Sequence, residues 1–275
     1  MYKPVSQIFY PSNLQEMFNA LNRFGRADIF SGSEHRIQNH GGIAVGLPDV
    51  IIGADDLADL STVNRTERFI EIGPMVTLQQ ILRLGKILPE ALKQSLEILY
   101  TVPQRGILSI GGAICQPRVS NPFAAALAAL GVRCELRTNA KTRWISASLL
   151  AGPGNADVFS PQEILYRVRI PLEQWDFTLC RRLDPVYGDE GGLIVFIARI
   201  QNDILSDVRI VFSGISVIRN KNRETALIGQ KLPLSKKDAA AFPSLWENCF
   251  EDSGPPFLRA RVLSFIENVM QRFSN

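Results

Sequence analysis

From residue 14 to residue 24 apolar side chains recur three and four apart, so that Leu14, Met17, Phe18, Leu21 and Phe24 share one face of a helix that Ser12 or Asn13 can cap. The same spacing predicts a helix opened by Thr77 through Leu78, Ile81, Leu82 and Leu84. It predicts another over 88–99 with Leu92, Leu96 and Leu99 inward. A long closing helix over 255–273 sets Leu258, Val262, Phe265, Ile266 and Val269 in register, and shorter helices are expected over 223–229 and 236–242. Apolar runs or alternation predict strands at 27–30, 48–52, 68–73, 132–137, 142–145, 164–171, 192–200, 204–213 and 215–218. The pattern changes near 173–175, beyond which strands and then helices follow one another, as in an antiparallel sheet with helices on one side.

The middle of the chain, 104–131, joins a strand-like apolar run to a helix across Gly111-Gly112. The helix is expected to start near Ser120-Asn121-Pro122, where a side-chain oxygen caps free N–H groups and proline fits the first turn, and to stop at Gly131. Paired glycines let a ligand approach the backbone, and exposed N–H groups there favour an anion such as a pyrophosphate. An ordinary tight turn that binds nothing uses the same residues, and the residues alone leave both readings open. Ser31-Gly32-Ser33-Glu34-His35, a small-residue turn after a short strand, is open in the same way.

Composition narrows the functions. With 275 residues and 46% hydrophobic content, the chain can bury a sizeable core as one large or two modest domains. Thirty basic against 27 acidic residues leave +3, with no basic arm or stripe, which argues against nucleic acid. No apolar run reaches bilayer length and the first residues lack a signal-peptide core, so no membrane is expected and a cytoplasmic location is. Cys115, Cys134, Cys180 and Cys249 are scattered without a Cys-x-x-Cys pair, and reduced, buried thiols are expected. His35 and His40, the only histidines, have no further ligands in a suitable frame, so no metal site is expected. Neither a Gly-x-Ser-x-Gly elbow, a His-Glu-x-x-His helix nor a Gly-Lys-[Ser/Thr] loop is present. Chemistry, if any, is expected to reside in a cofactor, with no catalytic side chain of the chain's own.

The order of elements resembles the flavin-binding medium subunit of molybdenum hydroxylases, including the carbon monoxide dehydrogenase medium subunit and the FAD-binding part of xanthine dehydrogenase. Arg105-Gly106-Ile107-Leu108-Ser109-Ile110-Gly111-Gly112-Ala113 is similar to the family's Arg-Asn-x-x-Thr-Ile-Gly-Gly-Asn. Leu127-Ala128-Ala129-Leu130-Gly131 is similar to its Leu-x-Ala-Leu-Gly, and Pro161-Gln162-Glu163-Ile164 through Ile170-Pro171 to its Pro-x-Glu-Ile strand. Further collinear pieces are Phe212-Ser213-Gly214-Ile215, the run from Arg223 to Gly229, and the run from Phe257.

The resemblance implies an α+β protein: a two-lobed, PCMH-type FAD-binding domain over 1–173 (lobes roughly 1–54 and 55–173), then a smaller antiparallel-sheet-plus-helices domain over 174–275. It implies FAD between the lobes, its phosphates on Ser31, Gly32, Ser33, Glu34 and His35 and on Ser109, Ile110, Gly111 and Gly112, with Asn121 as the nearest substitute for a ribose-binding aspartate. It implies an oxidoreductase subunit passing electrons from the clusters of an iron–sulfur small subunit through FAD to NAD or another acceptor, while a molybdopterin-binding large subunit oxidises the substrate. The chain departs from the pattern at Ser33, Glu34-His35, Ala113 and Asn121. Three lost contacts of ~1 kcal/mol or more weaken flavin by roughly two powers of ten. A flavin-poor structural or assembly subunit of the same complex is therefore the alternative. A stand-alone flavin oxidase of the vanillyl-alcohol oxidase type fits less well, because that group has a longer chain with its own substrate domain.

Overall fold

A computed structural model describes residues 7–24, 28–30, 50–115, 121–151, 158–160, 162–183, 191–213, 217–250 and 256–274. In chain order these form β1 (Gln7–Phe9), α1 (Leu14–Phe24), β2 (Asp28–Phe30), β3 (Val50–Gly53), β4 (Val63–Arg65), β5 (Phe69–Ile72), α2 (Leu78–Leu82) and α3 (Glu90–Leu99). Next come α4 (Val102–Ile107), α5 (Ile110–Ile114), α6 (Phe123–Leu130), β6 (Arg133–Arg137), β7 (Thr142–Ser146), α7 (Ala147–Leu150) and β8 (Ile164–Pro171). The last part holds β9 (Phe177–Leu183), β10 (Gly192–Gln201), β11 (Ile204–Ser213), β12 (Val217–Arg219), α8 (Lys221–Glu224), α9 (Lys236–Ala241) and α10 (Pro256–Ser274).

These elements gather into two compact units that do not follow chain order. One comprises Met1–Ile87, Tyr100–Pro117 and Gly131–Leu172, the other Leu88–Leu99, Arg118–Leu130 and Glu173–Asn275.

The first unit begins with a parallel sheet, ordered β1-β3-β2, in which Phe9 pairs with Ile52 and Phe30 with Gly53. Asn13 caps α1 by accepting the Glu16 N–H at 2.9 Å. Met17, Phe18, Ala20 and Leu21 then bury the helix's apolar face in one cluster with Ile52, Ala54, Leu57 and Leu60. An antiparallel sheet ordered β4-β5-β8-β6-β7 follows. Alternation gives it two unlike faces. Ile70, Ile72, Cys134, Leu136, Val168 and Ile170 are buried on one face. On the other, Glu71 accepts from Arg167 at 2.7 Å and Arg169 at 2.6 Å, and the Arg169 guanidinium lies 4.4 Å from the Phe69 ring centre and 4.0 Å from that of Trp144.

The second unit is built on the antiparallel sheet β12-β11-β10-β9. Leu193 to Ala198 are all fully buried, so both faces of β10 are covered. Ile194, Phe196 and Ala198 pack with Val262, Phe265, Ile266 and Val269 of α10. Alternation turns Leu193, Val195 and Ile197 the other way, toward α6, which runs against β10 and β11. The β10–β11 hairpin turns on Asn202 and Asp203, both with positive φ (51° and 61°), the backbone that a two-residue turn between right-twisted strands requires. The sequence pattern indicates every element named here except β1, β4, β9, α4, α5 and α7, but the helix expected over 223–229 is displaced. The helical turn is Lys221–Glu224, where Asn220 caps it, and residues 225–229 form a turn that ends on Gly229 at positive φ.

Candidate functional site

Residues 104–112 form two short helices, not the apolar strand the hydrophobic pattern implied. Thr101 and Gln104 start α4: the Thr101 N–H donates to Gln104 Oε1 at 2.9 Å, with Pro103 in the first turn. This start signal outweighs the apolar run behind it. Leu108 and Ser109 then cross as an extended link held against the start of α2, the Leu78 N–H donating to Leu108 O and the Ile110 N–H to Val76 O, each at 2.9 Å. Ser109 caps α5, its Oγ accepting the Gly112 N–H at 3.1 Å.

Gly111 and Gly112 therefore lie inside a helical turn. The Gly111 N–H donates to Pro74 O at 2.9 Å. A side chain at Gly111 would place Cβ 2.7 Å from Pro74 Cβ and 2.8 Å from Pro74 O. Its lack of a side chain thus serves the packing of α5 on the Gly73–Met75 turn. The N–H groups of Ile110, Gly111 and Gly112, expected to face a ligand, are donated within the chain instead. Gly112 is half-buried and carries no side chain. What this turn can present to a ligand is close approach to a rigid backbone.

Asn121 belongs to the second unit. It is 5% exposed, and its Oδ1 accepts the Phe123 N–H at 3.1 Å, so the polar start expected there is a helix cap. Gly131, at φ +67°, ends α6 as expected. Sequence reasoning missed the two side chains that tie this helix to β11. Ser213 Oγ donates to Pro122 O at 2.9 Å while accepting the Leu193 N–H at 3.2 Å, and Arg209 Nη1 donates to Ala129 O at 2.9 Å.

Ser31, Gly32, Ser33, Glu34 and His35 lie outside the described residues. The strand that leads to them, β2, ends at Phe30 beside Gly53 of β3. All three strands of this parallel sheet thus end on one edge, at Phe9, Phe30 and Gly53, and carboxyl edges of parallel strands are where open α/β sheets receive ligands. Tyr10 stands on that edge with its ring edge in the space a side chain at Gly53 would occupy. The glutamate of the Pro-x-Glu-Ile segment is a clasp: Glu163 accepts from Arg143 Nε and Nη2, both at 2.7 Å, and from the Ser160 N–H at 2.9 Å. Hydrogen bonding to Arg143, with help from Ser160, holds its carboxyl below the usual carboxylate range. Burial pushes the Cys115 thiol, just after α5, up to about 12, although the residue as a whole is only half-buried, and this disfavours the thiolate at neutral pH.

At the carboxyl edge of the parallel sheet, where open sheets of this kind receive dinucleotides, Gly53 lacks a side chain and the Tyr10 ring takes the space that one would fill. Among the described residues no group of three His, Cys, Asp or Glu side chains could hold a metal ion, and no helix is long and apolar enough to cross a membrane.

Residues 4–173 match the family model described as the FAD binding domain in molybdopterin dehydrogenase. Aldehyde oxidase 1 of Bos taurus is 25% identical over 281 residues, covering 93% of this chain; the chain spans 21% of the length of that relative. Among solved structures, one chain of the Cu,Mo-CO dehydrogenase in its cyanide-inactivated form superposes with a TM-score of 0.81 at 15% identity, covering 100% of this chain and 99% of that one. Quinoline 2-oxidoreductase from Pseudomonas putida 86 gives 0.80 at 18% identity, covering 100% and 96%. Reconstituted CO dehydrogenase from Oligotropha carboxidovorans gives 0.79 at 16%, covering 99% and 96%. At these identities the likeness to solved structures is one of fold, an α+β fold as the sequence implied.

Proposed function

We propose, from the premise that this chain belongs to the family of FAD binding domains in molybdopterin dehydrogenases, that it is the flavin-carrying electron-transfer subunit of a molybdenum hydroxylase. The observation that carries the reading is the match of that family model across residues 4–173, which includes the parallel sheet and the Ser109–Gly112 turn. In this reading residues 1–173 are the flavin domain and 174–275 a C-terminal domain. The cofactor's phosphates lie along Ser31, Gly32, Ser33, Glu34 and His35 and against Ser109, Ile110, Gly111 and Gly112, with Asn121 toward its ribose.

Because the N–H groups of the second turn are committed, that turn acts by shape: a half-buried Gly112 lets the ligand close on a backbone held by Pro74, Val76 and Ser109. When bound, flavin exchanges electrons one or two at a time, which joins one-electron clusters to a two-electron acceptor. The protein's part is to orient it and keep water from it. The partners are an iron–sulfur small subunit, which supplies electrons, and a molybdopterin-binding large subunit, where substrate is oxidised; the acceptor is NAD or another oxidant. The setting is the cytoplasm.

The same committed donors, with Asn121 occupied as a cap, favour a second reading, a flavin-poor assembly subunit of the same complex. An absorption spectrum of the purified protein, taken before and after incubation with FAD and removal of excess, decides between them. Bands at about 370 and about 450 nm that persist are the expected result. A chain that stays colourless leaves the assembly role. Gly112→Glu is expected to abolish flavin retention with the circular dichroism unchanged, and equal occupancy in variant and parent would remove the second turn from the site.

A further inference from the structure

Tyr10 has no part in the resemblance, yet among the described residues it is the most exposed aromatic side chain, and it stands at the edge where the three parallel strands end. It follows β1 directly, and 65% of its surface is accessible. Its ring is nonetheless placed: the Cδ1–Cε1 edge occupies the position that a side chain at Gly53 would take, so any other residue there would displace it. Gly53, itself buried, pairs across the sheet with Phe30, the last residue of β2. An aromatic ring fixed against a glycine backbone and open on its outer side is the form of a stacking platform for a planar heteroaromatic group.

We propose that Tyr10, seated on Gly53, is the stacking platform for the adenine of the flavin dinucleotide. The inference rests on the flavin-subunit reading. β1 and β2 flank β3, so Tyr10 stands two strand spacings, about 10 Å, from Phe30 at the end of β2. That separation suits one end of a dinucleotide whose phosphates follow β2. The end is adenine because of the platform's exposure. A redox ring laid on a side chain this open would sit in water and lose electrons to dissolved oxidants. Adenine is an inert handle, and an exposed stacking contact anchors it without harm. Tyr10 is therefore a binding residue that sets which flavin the chain prefers, FAD over FMN.

The test is titration of the full-length chain with FAD and with FMN, followed by quenching of flavin fluorescence, for the parent and for Tyr10→Leu and Tyr10→Phe. Leucine keeps bulk over Gly53 but removes the ring; phenylalanine keeps the ring. The expected result is a loss of about tenfold in FAD affinity in Tyr10→Leu, which is about 1.4 kcal/mol, with FMN affinity unchanged and Tyr10→Phe indistinguishable from the parent. FAD binding by Tyr10→Leu as tight as the parent's would overturn the platform, and so would equal losses for FAD and FMN, which place Tyr10 away from the adenine. A parent that binds neither flavin overturns the flavin-subunit reading itself, and the platform with it, and is told apart by needing no variant.

Discussion

Gly111 shows how a motif residue can be required for a reason other than the one its motif advertises. The pair of glycines invites a phosphate reading, but Gly111 packs face to face with Pro74, and a methyl group there would meet Pro74 Cβ at 2.7 Å. Gly111→Ala is expected to destabilise the chain by about 1–3 kcal/mol, the usual cost of overpacking, as a lower midpoint in urea unfolding. Glu163 is a second case, a conspicuous carboxylate engaged by Arg143 and Ser160. Its folded pKa is depressed, so its contribution is complete above the ordinary carboxylate value of 4.5 and is lost as pH falls through the folded value. Glu163→Gln is expected to cost about 1 kcal/mol at pH 7, because Arg143 is largely in solvent. That deficit should shrink toward zero in acid, and a deficit independent of pH from 7 to 3 would show that the ion pair contributes nothing.

At the scale of elements, what was legible depended on whether a segment carries its own instructions. Helix α1 does, with Asn13 ahead of its stripe of Met17, Phe18 and Leu21. So does the end of α6, where Gly131 takes the left-handed backbone, and so do β10 and β11, which are long and apolar. Strand β1 does not: Gln7–Phe9 is three residues long and is a strand because β3 pairs with it. Strand β9 was hidden by Arg181 and Arg182, which interrupt its apolar pattern, and β10 supplies its register. Over 104–112 the apolar run hid a Thr101–Gln104 cap. The placing of Ser213 was equally illegible, because its importance lies in joining segments far apart in sequence. Ser213→Ala leaves the Leu193 N–H and the Pro122 carbonyl without that hydroxyl. A loss of about 1–3 kcal/mol is expected, with faster hydrogen exchange at the amides of α6.

Over the whole molecule, the cysteines supply a native readout of each unit. Burial raises Cys134, in the first unit, well above its ordinary value and Cys180, in the second, to about 12. At pH 8 a thiol of pKa about 12 is ionised about once in ten thousand molecules. Neither is expected to react with iodoacetamide in the folded chain, and peptide mass spectrometry across a urea series should show each modified only as its own unit opens. The second unit also has an unusual parentage. Its sheet is covered by α3 and α6, which are encoded ahead of β6, β7 and β8 of the first unit. Helix α6, Phe-Ala-Ala-Ala-Leu-Ala-Ala-Leu, therefore leaves the ribosome before any of the strands it will cover has been made, and a nascent chain must carry that greasy rod unsheltered until β10 and β11 arrive. A gene divided after codon 172 would yield one polypeptide bearing a sticky helix and another whose sheet keeps α10 on one face and is bare on the other, so these two bodies cannot be traded as separate cassettes.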